Sequence, residues 1–109
     1  MDKQVLHQNI AGTVYTFELV DGWLRDKHDR KCLGQARTDD SWVGISRAAK
    51  PTKRWKVCLH ELVHVIKCEL DIADREHLDE ESLCNLISTG LCGIPLEDLA
   101  RLRDFVMRE

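Results

Sequence analysis

The sequence predicts an α+β domain in which a small sheet precedes a set of helices. Three observations carry this. Strand-type alternation is confined to the first half of the chain, 3.6-residue periodicity to the second, and Asp21-Gly22, Asp39-Asp40, Pro51 and Gly90 stand at the breaks. Strands followed by helices, rather than interleaved with them, form an α+β layer arrangement. A length of 109 residues sets the expectation of one domain over 1–109.

Thr13 to Val20 alternates, with Tyr15, Phe17 and Leu19 on one face, and Asp21-Gly22 closes it as a turn. Residues 23–31 are charged and read as a loop. Cys32 to Arg37 reads as a second strand, Asp39-Asp40 as a turn, and Trp42 to Ser46 as a short third strand. The expected sheet is therefore three-stranded, antiparallel or mixed. Pro51 suits the first turn of a helix, where its missing N–H costs nothing. From there to about Leu70, Trp55, Leu59, Leu62, Ile66 and Leu70 recur at spacings of three and four as a core stripe. Asp79 is a good N-cap for a helix over 79–90, with Glu80 and Glu81 in its first turn, Leu78 positioned to staple onto Leu83, and Gly90 as a stop. Leu83, Leu86 and Ile87 form its expected buried stripe. A last amphipathic helix opens at Ile94-Pro95 and runs to about Met107, with Leu96, Leu99, Leu102 and Val106 facing inward.

Composition narrows the partners. A net charge of −3 supplies no electrostatic drive toward nucleic acid or an anionic membrane. The basic cluster Lys50, Lys53, Arg54 and Lys56 reads as a solvated helix start. No stretch approaches a membrane span, and Met1-Asp2-Lys3-Gln4 leads into no signal-like segment, so a cytoplasmic protein is expected. Five cysteines (Cys32, Cys58, Cys68, Cys84 and Cys92) are an odd number without ribbon-type spacing, which suits free thiols in a reducing compartment.

The chemistry is concentrated in His60-Glu61-Leu62-Val63-His64, inside the apolar run from Val57 to Ile66. Positions four apart on a helix lie one above the other, so both imidazoles point the same way and can share one Zn²⁺. Glu61 sits about 100° round the helix from His60. That sets a carboxylate beside the metal without making it a ligand, which is where a base for a metal-activated water is needed. On the following helix, Glu81 and Asn85 are four apart and face away from the leucine stripe. Sixteen residues separate His64 from Glu81, enough for the second helix to turn back antiparallel to the first. Two imidazoles and one carboxylate leave a fourth position open, the catalytic arrangement, with Asn85 able to hold a ligand from behind.

The chain resembles the gluzincin zinc metallopeptidases, and most of all the minigluzincins and the small metallopeptidases carried by bacteriophages and bacteria. The stretches that carry the resemblance are Val14 to Gly22, Leu33-Gly34-Gln35, Trp42 to Ser46, Leu59 to Ile66, Leu78 to Asn85, and Gly90-Leu91. It implies a minimal zincin-like fold, His60, His64 and Glu81 as ligands of one catalytic zinc, Glu61 as general base, and a peptide or protein as substrate. Glu81 rather than Glu80 fits, because Cys84 and Asn85 then follow at the family's spacing. The family fold also implies that the strand around Trp42, Val43 and Gly44 forms the upper rim of the cleft, where a peptide adds as a strand. An ordinary edge strand with a core tryptophan is the alternative. If the chain is phage-borne, its setting is the host cytoplasm.

Other readings stay open at this level. Cys68, four residues after His64, either reaches the metal or is a small buried hydrophobe. His77 either contacts substrate or an oxyanion, or is a surface residue ahead of the helix cap. No histidine or tyrosine follows His77 to serve as the oxyanion group of the larger gluzincins. The alternatives to an active peptidase are a zincin-fold protein that binds another protein without turnover, and a latent enzyme whose own tail, ending in Glu109, fills the cleft.

Overall fold

The computed structural model describes residues 4–70 and 79–108. Strands β1 (Gln4–Ile10) and β2 (Thr13–Val20) form an antiparallel hairpin, and β3 (Leu24–Arg25) pairs with β4 (Lys31–Cys32) in a separate short ladder. Then come β5 (Gly34–Arg37), β6 (Trp42–Ser46) and the helices α1 (Pro51–Glu69), α2 (Glu80–Cys92) and α3 (Leu96–Val106). The α+β class is as the sequence predicts. The main sheet has four strands rather than three, in the order β1-β2-β6-β5, and it is mixed because β2 and β6 run parallel.

The additional strand is β1. It turns into β2 through Ala11 and Gly12, both at positive φ, and the Asn9 Oδ1 accepts the Gly12 N–H. A two-residue turn of this hand matches the twist of the flanking strands. The charged stretch expected to be a loop contains β3 and the start of β4, and the expected strand from Cys32 is split at Leu33 between two sheets.

The core lies between the sheet and the helices. Tyr15, Phe17 and Leu19 from β2 and Val43 and Ile45 from β6 meet Cys58, Leu62, Val65 and Ile66 of α1 and Leu102, Phe105 and Val106 of α3. Each such aliphatic or aromatic side chain contributes about 1.5–3 kcal/mol on burial. Trp55, Leu59 and Leu70 of the expected stripe pack at its margin. Tyr15 is fully buried yet its hydroxyl donates to Glu69 at 2.7 Å, tying β2 to the last turn of α1.

Three expectations about the helices are corrected. Arg54 is buried rather than solvated: its guanidinium donates to the carbonyls of Ala49, Arg47, Val106 and Arg108. Leu96 is 81% exposed, and Phe105 takes the inward place instead. Gly90 does not stop α2, which continues to Cys92 with Gly93 as its C-cap. Glycine at 90 has a packing reason: a Cβ there would stand 2.4 Å from Ile66 Cγ2 and 3.4 Å from Leu70 Cδ1. The helices therefore meet at their C-terminal ends. Antiparallel packing along their length, with Glu81 opposite His64, would set Gly90 against the first half of α1. Asp79 caps α2 as expected, accepting the Ser82 N–H at 2.7 Å. The staple from Leu78 lies outside the described residues.

Candidate metal centre

Helix α1 carries the site because one of its faces is withheld from the core. Leu62, Val65 and Ile66 are buried, while His60 and His64 stand exposed on the far side of the same turns. The Nε2 atoms of the two histidines are 3.2 Å apart, with ring centroids at 4.9 Å and an interplanar angle of 76°. Two nitrogens each about 2.0–2.1 Å from one tetrahedral zinc stand about 3.3 Å apart. The pair thus fits two ligands of a single ion. The same spacing fits one imidazole donating to the other, so a metal ion would have to compete with a proton for this point.

Glu61 is 7% exposed and lies toward the sheet. Burial raises its carboxyl above the usual range, opposed by His64, His60 and the backbone N–H of Ala36. The strand comes this close because residue 34 is glycine. A Cβ at Gly34 would stand 2.5 Å from Val57 Cγ1 and 3.1 Å from Glu61 Oε2. Gly34→Ala is expected to lower stability by about 1–3 kcal/mol through overpacking and to lift β5 from Glu61. Thermal denaturation reads the first effect; a variant as stable as the parent would show that the strand is not held by this contact.

Two adjoining cavities flank Glu61, one of about 370 Å³ and one of about 670 Å³. Both are lined by Cys32, Gly34, His60 and Glu61. The smaller continues along the N-terminal half of α1 past Val57, Lys56 and Lys53; the larger continues past His64 and Cys68, opposite Gln35, Ala36 and Thr38.

The other sequence-derived residues are distributed as follows. Glu81 and Asn85 are exposed on the first half of α2. Nine residues, or about 13 Å of helical rise, separate Glu81 from the Gly90 contact with α1. Among the described residues no group of three His, Cys, Asp or Glu side chains that could hold a metal ion is assembled around one point. Cys68 is exposed at the far end of the larger cavity. His77 lies outside the described residues. Trp42, Val43 and Gly44 are on β6, which is paired to β2 on one side and β5 on the other, so that strand cannot accept a further one. The sheet edge beside α1 is β5. Val43 is fully buried, and Trp42 lies over Gly44 with its indole N–H on Glu18 Oε1 at 3.1 Å. The tail is tied through the Arg108 carbonyl to Arg54, which lines neither cavity.

The residues that sequence reasoning missed here are Gly34, Ala36, Lys53 and Lys56. The lysines had a signal: 53, 56, 57, 60 and 64 share one helical face. The two on β5 had none, because strand order is not a local property. Comparison with protein-family models, with curated proteins and with solved structures found no match.

Proposed function

We infer that the chain is a zinc-dependent peptidase. His60 and His64 hold one Zn²⁺, Glu81 is the third ligand with Asn85 behind it, and Glu61 is the general base. One observation carries the reading: two imidazole nitrogens converge 3.2 Å apart beside a buried carboxylate, in a cleft under a sheet edge. Zinc bound there would supply Lewis acidity to a water and to a peptide carbonyl. The chain's own part is proton transfer and positioning. Burial gives Glu61 a higher proton affinity than a solvated carboxylate, suiting it to take a proton from water and return it to the leaving amine. The outer edge of β5 offers backbone donors and acceptors on which an extended peptide can pair. Helix phase supports Glu81 as the third ligand; Cys68, on the wall of the larger cavity, is the competing donor.

Zinc stoichiometry tests this directly. The purified chain is expected to bind one zinc and to cleave unstructured peptides. Partners behind the ligands are worth about 10–100-fold in metal affinity, so loss of a ligand in His64→Ala should cost about 100-fold or more. Glu81→Gln should weaken zinc binding and Cys68→Ser should not; the reverse result would move the third ligand to the cysteine. A parent chain that binds no zinc would end the metallopeptidase reading.

A further inference from the structure

The smaller cavity has a chemical character that the histidine–glutamate constellation does not explain. It is lined by the buried Glu61, by His60 and Gly34, and by the apolar Leu33, Val57 and Cys32. It is also lined by Lys53 and Lys56, both exposed in the first two turns of α1. Among the described residues neither lysine lies within ion-pair distance of a carboxylate. The charges are arranged against helix stability, since α1 has no acidic residue in its first turn whereas α2 has Glu80 and Glu81 and α3 has Glu97 and Asp98. Cations near a helix N-terminus oppose its dipole, and here they add to its positive potential over the cavity mouth. The larger cavity has no such polarity: Asp26 and Lys27 line it together.

On the peptidase reading, we propose that the smaller cavity is a subsite for a peptide carboxylate, held by Lys53 and Lys56 one position along from the bond at Glu61. The shape selects more than charge. Glu61 repels an anion beside it, so the carboxylate must ride on an apolar stem that lies over Val57 and Leu33 and ends at the lysines. A glutamate side chain meets this description. A chain-terminal carboxylate carries the same group and must be told apart by experiment. A cavity of about 370 Å³ admits one such side chain, and a net charge of −3 disfavours a polyanion.

The test uses the full chain and blocked alanine pentapeptides carrying one Glu, Gln or Lys at each position in turn, plus an all-alanine peptide with a free carboxy terminus. Binding is read by fluorescence anisotropy on the zinc-free chain, and cleavage on the zinc-loaded one. One glutamate peptide is expected to bind about three- to tenfold more tightly than its glutamine counterpart, the range for exposed to partly desolvated charge contacts. The preference should shrink with added salt. The double variant K53E/K56E should invert it toward the lysine peptide, and K53M/K56M, made at exposed positions that the fold tolerates, should erase it. Tighter binding of the free-terminus peptide alone would assign the lysines to a chain end. Equal binding of the glutamate, glutamine and lysine peptides, binding of none, or a preference that survives K53E/K56E would overturn the subsite. A lysine-dependent preference without cleavage would keep the subsite and remove the peptidase reading; cleavage without preference would do the opposite.

Discussion

Glu61→Gln is expected to retain zinc, to lower peptide cleavage by about 10²–10⁴-fold, and to make the fold more stable by about 0.5–2 kcal/mol. The two effects share one cause. Glu61 is held in a buried position where its charged form is poorly solvated, and the flanking histidines and the Ala36 N–H only partly offset this. Glutamine has the same shape without the charge. The sign of the pH dependence follows. A carboxyl whose folded-state pKa is raised contributes stability that is present in full below the unfolded carboxylate range, about pH 4, and is lost as pH rises through the folded value. Parent and variant should therefore unfold at similar temperatures in acid and diverge toward neutrality, with the variant higher. Denaturation curves across this range on metal-free protein measure the gap, and zinc stoichiometry with peptide cleavage measures the rest. A variant that cleaves as well as the parent would remove Glu61 from the chemistry. A variant less stable than the parent at neutral pH would mean that the carboxylate is a structural anchor.

The histidine pair was legible because it is local. Positions four apart on a helix must share a face, whatever the rest of the chain does, and the buried alternation of Tyr15, Phe17 and Leu19 was visible for the same reason. What escaped depended on neighbours distant in sequence. Strand β1 was hidden twice over: Gln8 occupies a core-facing place, where Asp98 and Arg101 satisfy its amide, and the turn has Ala11 where asparagine is usual. The expectation that Trp42 to Ser46 forms the cleft rim failed because edge or centre is decided by strand order, and β5 takes the edge. Gly90 looks like a helix stop in sequence, since glycine serves both as a cap and as a point of close helix approach; only Ile66 beside it tells which. That one glycine lets α2 approach α1 closely at Ile66 and Leu70.

Arg54→Met is expected to destabilise the fold by about 3–5 kcal/mol, because it leaves several carbonyls without a donor at about 1–3 kcal/mol for each that stays buried. Arg54 is 7% exposed, and among the described residues no carboxylate pairs with it. Its charge is met by carbonyls instead: Ala49 at 2.8 Å and Arg47 at 3.2 Å from the approach to α1, and Arg108 at 2.6 Å and Val106 at 3.4 Å from the end of α3. The last carbonyls of a helix lack intrahelical partners and carry the negative end of its dipole, so a planar fork with five donors suits the place. Arg54→Lys separates charge from geometry, since an ammonium keeps the charge but cannot span both segments, and it should lose an intermediate amount. A domain of this size is stable by only about 5–15 kcal/mol, so the methionine variant should melt more than about 10 °C below the parent. A lysine variant as stable as the parent would show that charge alone holds the two segments. Because Arg54 fixes the first turns of α1 from a face about 100° round the helix from Lys53, it also sets where Lys53 and Lys56 stand. The lysine variant, if folded, should then blur the glutamate preference of the smaller cavity before it weakens zinc binding at His60 and His64, which lie two turns further along the helix.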